Sequence, residues 1–136
     1  MSVIQYLITL VNTSMNISPA ESVVMEALWR KHPRRAEDIV VELQGEQPWQ
    51  EATIKTLLNR LLKKRAIAAT KQGRYYLYRP RIERTAYLFA QSAGLIDRLF
   101  NGRVAPLVAQ FSEHRKLSKK DLEDLKQFIR DLEDGE

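Results

Sequence analysis

The stretch that most constrains this chain runs from Gln50 to Leu62. It is followed at once by Lys63-Lys64-Arg65 and, a few residues on, by Lys71-Gln72-Gly73-Arg74-Tyr75-Tyr76. Ile54, Leu57, Leu58, Leu61 and Leu62 recur at the spacing that lines one face of an α-helix. The other side of that helix carries Ala52, Thr53, Lys55, Thr56, Asn59, Arg60 and Lys63, with no carboxylate after Glu51. Hydroxyls, amides and methyls of this kind suit base edges in a DNA major groove, and cations suit phosphates. A short hairpin with a cationic tip comes next. Helix and hairpin together predict a winged helix-turn-helix.

The charge distribution agrees with that reading. Residues 15–81 hold thirteen Lys+Arg against seven Asp+Glu, whereas residues 82–136 hold nine against ten. A basic first part joined to a balanced second part points to polyanion binding in one and a different task in the other. Lys64, Lys71, Arg74 and Tyr76 join the helix residues as expected DNA contacts, Lys71 and Arg74 against phosphate.

Several chemistries are disfavoured. The chain has no cysteine, so a disulfide framework or thiolate metal site is impossible. His32 and His114 stand far apart without a companion at ligand spacing, and both are expected as solvated residues. No nucleophile–base set, phosphate-binding glycine loop or paired carboxylates occur, so the expectation is a non-enzymatic protein without cofactor or metal. Val3–Val11 is apolar, but no cation precedes it and it is too short to span a bilayer. A cytoplasmic protein without membrane insertion is expected. Residues 1–14 carry no charge, and two readings stay open for them: a dispensable extension, or an added element packed on the domain.

The punctuation from Ile17 onward is sharp. Ser18-Pro19-Ala20-Glu21 offers a capping box with proline at the first helical position. Val23, Val24, Ala27 and Leu28 then give an inward stripe for a helix ending near Lys31, where His32-Pro33 stops it. A second helix is expected from about Arg35 to Gln44, burying Ala36, Ile39, Val40 and Leu43, with Gly45 as its stop. Trp29 and Trp49 are expected in core packing. Ala66–Thr70 and Tyr75–Tyr78 read as the two strands of the wing. Tyr76 and Tyr78 alternate with Tyr75 and Leu77, so one of these pairs should face the core.

Beyond Pro80 the pattern is helical only. Glu83–Phe100 is followed by Asn101-Gly102, then by a helix with Pro106 in its first turn and a third helix capped at Ser118 and Asp121. The apolar positions exceed what three short helices can bury alone, which predicts a symmetric dimer. The residues expected at that contact are Leu88, Leu95, Leu99, Val104, Leu107, Val108, Phe111, Leu122, Leu125, Phe128, Ile129 and Leu132. The expected organisation is therefore mostly α: an extension over 1–14, a winged-helix DNA-binding domain over 15–80 and an all-α dimerisation domain over 81–136.

The same residues carry a resemblance. The segments Ile17–Trp29, Thr53–Leu61 (T-I-K-T-L-L-N-R-L) and Lys71–Pro80 (K-Q-G-R-Y-Y-L-Y-R-P) look like the penicillinase-repressor family, the BlaI/MecI/CopY type. The run N-G-R-V-A-P-L-V-A-Q-F and the following K-L-S-K-K-D-L-E-D-L-K resemble its C-terminal dimerisation region. The resemblance covers about Ile17 to Leu132. It implies a dimeric repressor of resistance-type genes, bound to a palindromic double-stranded operator. It also implies release by proteolysis in the dimerisation region, controlled by a membrane sensor protease responding to β-lactam. The matching bond is Gln110-Phe111, with Gln110 where the well-known members have Asn. The copper-sensing branch uses C-terminal cysteines, which are missing here, so the resemblance is to the BlaI/MecI branch. The competing reading is a winged-helix protein–protein module whose basic helix faces solvent. The operator, the regulated genes and the inducing signal are not legible.

Overall fold

A computed structural model describes residues 16–114 and 116–135. The readings for residues 1–14 fall outside it. The chain divides into two compact units, Met1–Gly94 and Leu95–Glu136.

In the first unit, helix α1 (Pro19–Arg30) starts where the capping box predicts. Ser18 Oγ accepts the Glu21 N–H at 3.1 Å, and the Glu21 carboxylate accepts the Ser18 N–H at 3.2 Å. Val24, Met25, Ala27 and Leu28 are fully buried, while Val23 packs at the core margin. The chain then forms a two-residue strand, β1 (Arg34–Arg35), before helix α2 (Ala36–Gln44). The sequence reading placed Arg35 in the helix instead. Two arginines leave no period to detect. The strand exists because its backbone finds an edge, pairing antiparallel as Arg34↔Tyr78 and Arg35↔Leu77.

Helix α2 buries Ile39, Val40 and Leu43, with Ala36 only partly covered. Gly45 is not a left-handed stop, since its φ is −74°. The helix ends through a tightened last turn in which Gly45, Glu46 and Gln47 N–H groups donate to the Glu42 and Leu43 carbonyls at 2.8–3.2 Å. Helix α3 (Glu51–Lys63) follows, and Ile54, Leu57, Leu58 and Leu61 face inward. Arg65, at φ 61°, turns the chain into strand β2 (Ile67–Gln72), which pairs with β3 (Tyr75–Pro80) from Ile67↔Pro80 to Gln72↔Tyr75. Gly73, at φ 63°, opens the two-residue turn, a position suited to glycine. The sheet order is β1-β3-β2. Three helices on a small sheet with a hairpin wing make a winged helix-turn-helix.

The tyrosine alternation holds only near the base of the wing. Tyr78 packs against the core, but Tyr76, on the same side, is 51% exposed and borders an open groove beside α3. Trp29 and Trp49 both pack on the core margin.

Helix α4 (Arg84–Phe100) contributes its first half to this unit. Tyr87 and Ala90 are buried, and the Trp29 and Tyr87 rings meet at 5.2 Å between centroids. Trp29 Nε1–H donates to the Ile82 carbonyl at 2.9 Å, and Arg84 pairs with Glu26 at 3.1 Å. Burial pushes the Tyr87 hydroxyl up, with the Glu26 and Glu21 charges adding to it.

The second unit takes the end of α4, a left-handed pair at Asn101 (φ 52°) and Gly102 (φ 77°), helix α5 (Val104–His114) and helix α6 (Lys119–Asp134). Ser118 Oγ caps α6 by accepting the Asp121 N–H at 3.0 Å. No described residue of α5 or α6 is buried.

Candidate nucleic-acid interface

Helix α3 presents its polar side to solvent because its leucines and Ile54 occupy the core. Ala52, Thr53, Lys55, Thr56, Asn59, Arg60 and Lys63 are all exposed on it. The wing exposes Lys71, Arg74 and Tyr76. Between them lies a groove of about 250 Å³, bordered by Lys55 and Asn59 from α3 and by Arg74, Tyr75 and Tyr76 from the wing.

The ion pairs give this surface its character. Several other cations of the unit are paired, Arg30 and Arg34 with Glu42 and Arg84 with Glu26, while Lys31, Arg65, Arg79 and Arg81 form no ion pair among the described residues. Among the described residues, Arg60, Lys63, Lys71 and Arg74 meet no carboxylate. Lys55 is the partial exception, since it pairs with Glu51 at 3.1 Å in an exposed i,i+4 contact. Such a pair contributes little and opens readily. Helix and wing thus each carry cations without an ion-pair partner, on either side of a groove that Glu37 also lines.

Two residues differ from their sequence reading in detail. Thr56 Oγ1–H donates to the Ala52 carbonyl at 2.9 Å, so its hydrogen is committed to the helix. What remains outward is a methyl group and hydroxyl lone pairs. Lys64, placed with the DNA contacts by its neighbours, is turned inward: its ammonium lies 2.6 Å from Glu21 Oε1 and 2.6 Å from the Asn16 carbonyl. Sequence reasoning missed Arg35, whose guanidinium lies 3.6 Å from the centre of the Tyr75 ring and 3.5 Å from Glu37. It braces the wing near its tip. No periodic signal marks it, because the contact depends on strand β1.

Among the described residues no group of His, Asp and Glu is arranged to hold a metal ion, and no helix is long and apolar enough to cross a membrane.

The sequence matches the family described as Penicillinase repressor over residues 17–131, most of the chain. The chain belongs to the penicillinase repressor family. A penicillinase repressor of Bacillus licheniformis is 33% identical over 83% of this chain and 88% of its own length. The methicillin resistance regulatory protein MecI of Staphylococcus aureus is 31% identical over 87% and 96%. A solution structure of the DNA binding domain of the repressor BlaI shares 36% identity over 53% of this chain and 88% of that one, with a TM-score of 0.49. The family match extends through both units, so it includes α5 and most of α6 as well as α3 and the wing.

Proposed function

We propose that this chain is a sequence-specific, DNA-binding transcriptional repressor that acts as a homodimer on a palindromic operator. The observation that carries the reading is that α3 exposes Arg60 and Lys63 beside Thr53, Thr56 and Asn59, and the wing exposes Lys71 and Arg74, all four cations without an ion-pair partner among the described residues. Cations anchor the phosphates, while Thr53, Thr56 and Asn59 read base edges. The relatives named as penicillinase and methicillin-resistance regulators support control of β-lactamase or resistance-type genes. The protein carries out no reaction of its own and works in the cytoplasm without cofactor.

The dimer reading draws support from the second unit. Leu99, Val104, Phe128, Ile129 and Leu132 are each more than half exposed, a costly arrangement for an isolated helical unit. A second copy of the same helices would cover them, and two-fold symmetry would match an operator palindrome.

Release by proteolysis, under a membrane sensor protease, fits the position of Gln110-Phe111. That bond lies inside α5, a helix with no buried described residue, so local opening to admit a protease costs little. A cut there separates α6 from the winged helix. The subunits then lose the effective concentration that holds two half-sites together.

Binding to duplexes selected from genomic fragments, repeated across salt concentrations, tests the proposal. A repressor with several phosphate contacts shows a steep loss, each contact contributing about −0.9 to the log–log slope. A flat salt response would favour a protein-binding winged helix.

A further inference from the structure

Lys63 and Lys64 are adjacent, chemically identical and both at the end of α3, yet the fold gives them opposite surroundings. Lys63 is exposed and pairs with no carboxylate among the described residues. Lys64 reaches back to Glu21, which is only 2% exposed. The pair is short, 2.6 Å, and joins the first turn of α1 to the C-cap of α3. Glu21 also closes the α1 capping box, and Lys64 further donates to the Asn16 carbonyl, so the contact ties three segments together.

The place of this tie gives it a functional meaning. Arg65, the next residue, sits at φ 61°, a conformation that side-chain-bearing residues rarely adopt. Its N–H donates to the Leu62 carbonyl at 3.1 Å, and the Ala66 N–H donates to the Leu61 carbonyl at 3.0 Å. The chain therefore leaves α3 and enters the wing through one constrained turn, with the Lys64–Glu21 pair at its start. That turn determines how the helix and the wing are disposed toward a duplex.

We propose that Lys64 and Glu21 are a positioning pair that holds the DNA-facing helix and the wing in register, and that Lys64 makes no phosphate contact. The inference rests on the DNA-binding reading but goes beyond it, because it removes one cation from the electrostatic footprint and gives it a role in specificity. Glu21 is held ionised in this setting: burial alone would raise its pKa, but the hydrogen bonds from Lys64 and Ser18 and the Lys64 charge bring it below the usual carboxylate value.

The experiment compares the full chain with Lys64→Met, Lys63→Ala and the double variant Glu21→Gln/Lys64→Met. The double variant avoids leaving a buried carboxylate alone, which can unfold a domain. Each protein is titrated with a selected operator duplex and with a scrambled duplex at several salt concentrations, below its melting temperature. The expected result for both Lys64 variants is at least a tenfold loss on the operator, binding to scrambled DNA within twofold of the parent, and an unchanged salt slope. Lys63→Ala should weaken both duplexes and reduce the slope by about 0.9. A slope reduced to the same extent by Lys64→Met would make Lys64 a phosphate contact and overturn the proposal. Unchanged operator selectivity in the folded double variant would overturn it equally, leaving the pair a role in stability alone. If the parent binds neither duplex, the DNA-binding reading itself falls, an outcome distinct from both.

Discussion

Thr56 shows how one hydrogen bond narrows a residue's function. With its hydroxyl hydrogen given to the Ala52 carbonyl, the side chain keeps a methyl group and oxygen lone pairs, and under the proposed function the methyl is the part suited to a thymine methyl. Thr56→Val should therefore bind the operator within about threefold of the parent, whereas Thr56→Ala should lose roughly 1 kcal/mol and relax preference at one base position. Competition binding against single-base operator variants checks this, and equal losses for Val and Ala would mean that the hydroxyl does the reading. Glu42 makes a second prediction. The Arg34 hydrogen bond holds its carboxylate below the ordinary value, against the opposing effect of burial. The ionised form is thus favoured by folding, so its contribution is present above about pH 4.5 and is lost as pH falls through the depressed folded value. Glu42→Gln should lower stability at pH 7 and flatten the acid limb below about pH 4.5, as read by urea midpoints. Parallel pH curves for parent and variant would remove Glu42 from that account.

Helix α3 does two jobs with its two faces, and they should fail separately. Leu61 is fully buried, so Leu61→Ala should cost about 2–5 kcal/mol of global stability. Arg60→Ala, on the exposed face, should leave the melting temperature nearly unchanged and weaken all duplexes alike. At Gly73 a Cβ would meet nothing within 4 Å, but φ 63° is strained for most side-chain-bearing residues, β-branched ones above all. Gly73→Val should therefore disturb the tip and weaken DNA binding, while Gly73→Asn, which tolerates that region, should come close to the parent. Thermal unfolding and a salt titration on the same samples separate the two effects.

Where the winged helix ends becomes clear only from the whole molecule. A boundary drawn after Pro80 follows the loss of strand signals, but Tyr87, Ala90 and the Ile82 carbonyl that receives the Trp29 N–H all serve the first unit. A fragment ending at Gly94 should fold and sediment as a monomer, whereas one ending at Pro80 should melt markedly lower, because Trp29 loses both its ring partner and its acceptor. The full chain should sediment as a dimer at micromolar concentration and bind the palindrome far more tightly than the Gly94 fragment. A monomeric full chain with operator affinity equal to that of the fragment would refute assembly through α5 and α6.

The helices and the wing of the first unit were legible in one dimension because their signals are local: apolar spacing in α1 and α3, a capping box at Ser18, a glycine at the hairpin tip. The cationic face was legible for the same reason, since a helix whose leucines are buried must turn its other residues outward. Strand β1 was not, because a two-residue strand is defined by the edge it meets, and neither was Arg35 stacked on Tyr75. The separation of Lys63 from Lys64 was hidden as well. Two adjacent lysines are identical to any local rule, and only the arrival of Glu21 from 43 residues away decides which is paired and which faces outward unpaired.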